Sequence, residues 1–379
     1  YSKSPIDHAK KLADIFLSEG YAEVEAKAGV HFGTYKVFVN FIPMADITYM
    51  HEDLFDNLGS ESIDMNGILY APPNFLRMGM YLELSRPEGD VSRWEKVMKR
   101  LTLLNKYHPL QINKCYKIDF QRKPDTIDDT NSSKLYYLIR DSFIEQGVVF
   151  FGGYAGSLYS RYMPSTEKRI IRSTPDFDVL CENAELSTSI ISQKLRNSEY
   201  TDIEVKTHES IGEVIPMHYE IIVNGETLAF VHEPLACHNY NEVHIDGKKI
   251  RVATIDTIFS FYLAFIYSSH AYEDKKYQDR LMCMSKFLFD VEQKNRLSQI
   301  GLLKRFTLSC YGKQSTIESV RSEKTDMFRK LQNKRDAKEW EQWFLKYNPS
   351  ASAEKKKSKK PTFKPKTKKK KKKESEYLF

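Results

Sequence analysis

Two carboxylates one residue apart, Asp176 and Asp178, lie in the run Asp176-Phe177-Asp178-Val179-Leu180. Side chains alternate along a strand, so both carboxylates share one face and Phe177 takes the other. Paired carboxylates repel, and a hard divalent cation such as Mg2+ relieves that repulsion. Upstream, Gly147-Val148-Val149-Phe150-Phe151 reads as a short apolar strand. It is followed by Gly152-Gly153 and by Tyr154-Ala155-Gly156-Ser157-Leu158-Tyr159, which can open a helix. Glycine lets a backbone pass close to a phosphate, and the unpaired N–H groups of a first helical turn hold an anion. The Ser157 hydroxyl can add a donor. A phosphate cradle beside a carboxylate pair describes metal-dependent phosphoryl or nucleotidyl transfer.

Each half also has a plainer reading, since Gly-Gly turns precede many helices and an Asp-x-Asp often marks a solvated strand edge. In this order, each on a strand, they resemble the signature of the DNA polymerase β-like nucleotidyltransferase superfamily. There a glycine-pair turn holds the triphosphate and an Asp-x-Asp strand holds the metals. The long insertion from Arg161 to Pro175, basic through Lys168, Arg169 and Arg172, departs from that pattern. It reads as a loop over the site or a surface excursion.

The elements that must position these residues occur twice. A helix over Ile6 to Ser18, with Ser4-Pro5 and Asp7 at its start, precedes strand segments Ala22 to Ala28 and His31 to Tyr49. The order recurs after Asp178, with a helix over Leu186 to Leu195 and a strand over Asp202 to Lys206. Tyr35 to Asn40 and Met44 to Thr48 align without a gap with Tyr219 to Asn224 and Leu228 to His232. After a shift of two residues, Gly67 to Ala71 matches Lys249 to Ala253, and the helices Asn74 to Leu84 and Asp256 to Ser268 follow. A repeat of this length means two copies of one supersecondary unit. Tyr1 aligns near Leu180, so the chain is expected to be a fragment whose first glycine turn and carboxylate pair lie upstream. Superfamily catalysis uses a third carboxylate on a neighbouring strand, which helps deprotonate the attacking hydroxyl. Copy one places Asp46 there and copy two places Phe230. Glu226 or Glu233 could substitute only if the strand register slipped.

Between the copies, Trp94 to Leu104 reads as a helix with Lys96, Lys99 and Arg100 toward one side. That face is either solvated or directed at a triphosphate or an RNA backbone. Helices are expected over Lys276 to Asp290, Leu297 to Cys310 and Ser315 to Lys346, with Tyr272, Tyr277, Phe287 and Phe289 as core. Histidines such as His31, His51, His218 and His232 form no ligand-spaced cluster.

The 379 residues can bury two ordinary cores. No apolar stretch is long enough to span a bilayer, and the start lacks a secretory pattern. Five cysteines (Cys115, Cys181, Cys237, Cys283, Cys310) without a C-x-x-C pair predict reduced thiols and no structural zinc. The net charge of +7 resides in the tail: Ala353 to Glu376 holds thirteen lysines against three glutamates. That run is expected to be a disordered arm, either simply solvated or attracted to RNA.

The runs GVVFFGGYAGSLYSRYM and TPDFDVL, with DRLMCMSKFLFD (Asp279 to Asp290) and LLKRFTLSCYGKQSTIE (Leu302 to Glu318), resemble the poly(A) polymerase catalytic subunits of large cytoplasmic DNA viruses, of the mimivirus and asfarvirus type. The resemblance implies an α+β fold of two tandem nucleotidyltransferase-like (polymerase β palm) units with helical additions. It places the first unit and its helices in 1–106, a connector in 107–133, the second unit with C-terminal helices in 134–350 and the tail in 351–379. It implies AMP addition from ATP to mRNA 3′ ends with Mg2+ or Mn2+ and one degenerate copy. Single-stranded RNA would be the acceptor, with a homodimer or a processivity partner and no membrane. The setting would be the cytoplasm of an infected cell, or the virion. Carried over, Gly152, Gly153 and Ser157 match the triphosphate turn, Asp176 and Asp178 the metal pair, and Asp46 the third carboxylate. Three alternatives stay open: a different acceptor, copy two as the working site, and a pseudo-nucleotidyltransferase serving as an RNA-binding or dimerisation module.

Overall fold

Pro5 presets the first turn of α1 (Pro5–Ser18), whose Ala9 and Ala13 are fully buried. The helix packs on β1 (Val24–Ala28), β2 (Thr34–Val39) and β3 (Ile42–Thr48). Alternation along β2 turns Tyr35, Val37 and Val39 into a small core with Val24, Ala26 and Leu345. The computed structural model describes residues 1–110, 112, 115, 129–165, 177–268 and 275–351. Among these, no helix is long and apolar enough to cross a membrane.

The second, larger unit runs from residue 50 to 323. It opens with α2 (Glu52–Glu61), the hairpin β4 (Ile63–Met65) and β5 (Ile68–Tyr70), then α3 (Pro73–Leu84), α4 (Trp94–Tyr107) and α5 (Asp129–Glu145). There follow β6 (Val149–Phe151), α6 (Gly152–Tyr159), β7 (Phe177–Leu180), α7 (Ala184–Asn197), β8 (Ile203–His208), β9 (His218–Val223) and β10 (Glu226–His232). The unit ends with β11 (His238–Ile245), β12 (Lys248–Ala253), α8 (Ile255–Phe265), α9 (Lys275–Lys294), β13 (Cys310–Tyr311) and the first half of α10 (Ile317–Leu331). Its sheet has the order β13-β11-β12-β6-β7-β10-β9-β8. The chain then returns to the first unit through α11 (Lys338–Phe344) and β14 (Lys346–Tyr347), giving a sheet β14-β1-β2-β3.

The division expected near residue 106 therefore falls elsewhere. Leu54, Phe75, Tyr81, Leu84, Val97 and Leu101 share one core with β6, β7 and α8, because α3 buries its apolar face against α8. Tyr81 stacks on Phe259 at 4.5 Å. Residues 1–49 and 324–351 form the smaller unit.

Two helix expectations also change. Leu297 to Cys310 holds only a short 3-10 turn at Gly301–Leu303 before β13; Gly301 is left-handed, and Leu297, meant for a helix face, is 95% exposed. Ser315 to Lys346 is two helices. Turns closed by the Lys334 N–H to the Leu331 carbonyl (2.8 Å) and the Ala337 N–H to the Lys334 carbonyl (3.0 Å) split it. Phe287 is buried, and Tyr277 and Phe289 pack against the same core, as expected; Tyr272 lies outside the described residues.

The repeat is present as backbone geometry. Hairpins β2–β3 and β9–β10 turn through Asn40-Phe41 and Asn224-Gly225, all four with positive φ. Each then skips one residue in the same place, Met44 and Leu228. Lys36 stands opposite Asp46 as Glu220 stands opposite Phe230. The Ser2 N–H donates to the Thr48 carbonyl at 2.9 Å, and the Cys181 N–H to the His232 carbonyl at the same distance. One alignment is corrected: the Asn66-Gly67 and Asp246-Gly247 turns match, so Gly67 corresponds to Gly247 and not to Lys249.

Candidate active site

Apolar β6 is buried throughout, and the chain leaves it at Gly152 with φ +73° to begin α6. A Cβ on Gly152 would stand 1.9 Å from Asp178 Oδ2. Only glycine provides both the conformation and the room. β7 pairs antiparallel with β6, placing Asp178 opposite Phe151, so the carboxylate lies against the first turn of α6. Helix N–H dipoles favour negative charge there. Gly153 is buried at the same turn, and the Ser157 hydroxyl donates to the Tyr154 carbonyl at 2.5 Å. Asp176, Lys168, Arg169 and Arg172 lie outside the described residues.

On its other side β7 pairs in parallel with β10, and Asp178 faces Phe230 directly. Residues opposed across strands share a face, so one row reads Phe151, Asp178, Phe230, Glu220, Lys206. The row beyond it holds Leu180, His232, His218 and His208. Phe230 is 3% exposed. Its neighbours are a ladder of stacked imidazoles: His218 lies 4.5 Å from His232 and 4.8 Å from His208. Helix α8 closes over this face, with Phe261 stacked on Phe151 at 4.8 Å and Phe265 at 5.7 Å from His232. Buried Glu220 is held by His208 Nε2 at 2.9 Å and by the Thr227 hydroxyl. Neither Glu226 nor Glu233 stands opposite Asp178, because β10 runs in register from Ala229 to His232 without a slip.

Copy one builds the same positions differently. Asp46 projects from β3 with its side chain 53% exposed, and Lys36 Nζ lies 2.8 Å from both of its oxygens. Where copy two stacks His218 on His232, copy one opposes Thr34 and Thr48, whose hydroxyls are 3.2 Å apart. Four equivalent positions are thus Asp46, Lys36, Thr48 and Thr34 in one copy and Phe230, Glu220, His232 and His218 in the other. Asp46 belongs to the smaller unit, whereas Asp178, Gly152, Gly153 and Ser157 belong to the larger.

Among the described residues no group of three potential metal ligands includes Asp178, and the position beside it is a buried phenyl ring. The basic face of α4 is largely a solvated one, with Lys99 paired to Glu95 at 2.5 Å. Sequence reasoning missed the imidazole ladder. Its trace was the period-2 pairing His218-x-Glu220 with Phe230-x-His232.

A glycine turn opening a helix, a carboxylate strand beside it and a duplicated hairpin unit define an α+β protein built on a repeated unit. Comparison with known proteins narrows this. The profile of the family "Poly(A) polymerase catalytic subunit" matches residues 1–90. A protein of Acanthamoeba polyphaga mimivirus assigned as a poly(A) polymerase catalytic subunit is 28% identical over 168 residues, 44% of this chain and 28% of that protein. The counterpart of African swine fever virus, isolate Kenya 1950, is 28% identical over 136 residues, 32% of this chain and 28% of that protein. The matched stretches thus span little over a quarter of those relatives. The crystal structure of the Megavirus polyadenylate synthase superposes with a TM-score of 0.75, covering 96% of this chain and 74% of that one at 19% identity, which establishes the shared fold. The chain has the fold of that viral enzyme and is similar in sequence to viral poly(A) polymerase catalytic subunits.

Proposed function

We propose that the chain serves template-independent polyadenylation, transferring AMP from ATP to the 3′ end of single-stranded RNA. The family match and the shared fold support the class of activity. One observation supports the first copy as the working one: two hairpins of identical register and bulge carry a solvent-facing Asp46 in one and a buried Phe230 in the other. In this reading Asp46 assists proton removal from the RNA 3′-hydroxyl as it attacks the ATP α-phosphorus and pyrophosphate leaves. Lys36, beside it, pairs with the carboxylate before substrate arrives. A divalent metal, Mg2+ or Mn2+, belongs to the proposal, and Asp46 is the carboxylate the smaller unit would offer it. The second copy, closed by α8 and the imidazole ladder, acts as scaffold. The setting we propose is the cytoplasm of an infected cell.

Extension of a short RNA primer by the full-length protein carrying these residues tests the assignment. Asp46→Asn should lower the rate by about 10²-fold or more, while Asp178→Asn leaves it within a few-fold. Circular dichroism would confirm that both variants fold. The opposite pattern would make the second copy the working site.

A further inference from the structure

The expectation of reduced, unpaired cysteines does not hold. Cys237 is bonded to Cys310 with Cα atoms 5.1 Å apart, and Cys115 to Cys283, leaving Cys181 as a buried thiol. Spacing in the sequence hid these pairs, since 73 and 168 residues separate the partners. The first pair has a third member. A Glu88 carboxylate oxygen and the sulfurs of Cys237 and Cys310 all lie within 4.8 Å of one another.

Three separate segments deliver these atoms, and one buried residue ties the segments together. Asn239 is 0% exposed. Its N–H donates to the Ser85 carbonyl at 2.8 Å, which fixes the turn after α3. The Gly89 N–H closes that turn on the Arg86 carbonyl at 3.0 Å, with Glu88 exposed within it. Asn239 also stands opposite Cys310 in the β11–β13 pair, and its side-chain amide donates to the Arg305 carbonyl at 3.0 Å. Beyond Cys310, a Cβ on Gly312 would come 2.3 Å from the Ala236 carbonyl oxygen, so the two cysteine-bearing segments are in tight contact. Contacts other than the disulfide therefore hold the three segments together.

We propose that, with its disulfide reduced, the Cys237, Cys310 and Glu88 cluster is a binding site for a borderline-soft divalent metal of the Zn2+ class. Two thiolates and one carboxylate are the donors such an ion takes, with water completing a tetrahedron, whereas Mg2+ prefers an all-oxygen shell. Reduction by a dithiol passes two electrons to the S–S bond, giving two cysteine thiols and the reductant's own disulfide. Metal binding then releases the two thiol protons. Disulfide and metal would each fasten β13 to β11. The fastening reaches the carboxylate strand, since the Glu182 N–H, two residues beyond β7, donates to the Tyr311 hydroxyl at 3.2 Å.

The test is Co2+ titration of the full chain after dithiol reduction and anaerobic desalting, read by the thiolate-to-cobalt charge-transfer band. We expect one Co2+ per chain, displaced by Zn2+, with the band kept in Cys115→Ser/Cys283→Ser. The oxidised chain should show no band. Cys310→Ser should remove it, and Glu88→Gln, a change at an exposed residue that leaves folding intact, should weaken binding at least about tenfold, the scale on which even outer-shell partners act. A reduced, folded chain without the band would overturn the proposal. So would a band indifferent to Cys310→Ser, or an affinity unchanged in Glu88→Gln.

Discussion

At the scale of single residues, the glycine turn and the carboxylate strand are one packing problem. Gly152 must be glycine because Asp178 fills the space its Cβ would need and because its φ is +73°. Gly152→Ala adds a left-handed alanine, costing roughly 1–2 kcal/mol, to an overpacked contact costing roughly 1–3 kcal/mol. Urea unfolding of the variant should show a loss of about 2–5 kcal/mol, and Asp178→Ala in the same chain should recover only the contact part. A recovery to the full wild-type value would mean the backbone conformation is unstrained.

At the scale of elements, the two hairpins differ at a residue that does no chemistry. Both turns need positive φ at two successive positions. Copy two meets the second with Gly225 and copy one with Phe41, at φ 63° and 82% exposed. Phe41 carries the backbone cost without burying its ring. Phe41→Gly is therefore expected to stabilise the chain by about 1 kcal/mol, seen as a raised thermal midpoint. A lowered midpoint would show that the exposed ring contributes more than the turn costs. The hairpin was legible in the sequence because strand alternation and the Asn that opens the turn are local features. The imidazole ladder was not, since it joins β8, β9 and β10, whose side-by-side order is a tertiary fact.

At the scale of the larger unit, a buried ionic cluster joins α3, α8 and α9. Arg305 lies 3.0 Å from Asp256 Oδ2 and 2.5 Å from Glu292 Oε1, and the Tyr81 hydroxyl donates to Glu292 at 2.8 Å. Burial pushes the Glu292 carboxyl above its ordinary range against the pull of Arg305, because one guanidinium serves two carboxylates. Burial acts to lower the Arg305 pKa, yet the two carboxylates carry it above its usual value. Arg305→Met leaves both carboxylates buried without their cation and should cost about 3–5 kcal/mol in denaturant unfolding. A second buried group sets the acid limit. Burial, then the charge of Arg86, lowers His238 to about 3, so the folded chain keeps it neutral. Its contribution is complete above the unfolded-state value of about 6.5 and is lost as pH falls toward 3, at about 1.4 kcal/mol per pH unit. His238→Phe, retaining a ring against Phe261, should flatten the stability profile across that window. An unchanged slope would assign the acid sensitivity to other groups.

What the sequence determined by itself was whatever depends on neighbours along the chain: the alternation of β2 and β9, the glycine turn before α6, the order of the repeated elements and the contrast between Asp46 and Phe230. These survive translation into structure because backbone periodicity and turn chemistry act over a few residues. Only the tertiary structure decided that residues 50–110 pack into the larger unit, that α8 closes the second copy's carboxylate face, and that Cys237, Cys310 and Glu88 converge. Each of those depends on which apolar faces find one another across distant parts of the chain, and burial is non-directional, so no local spacing records its partner.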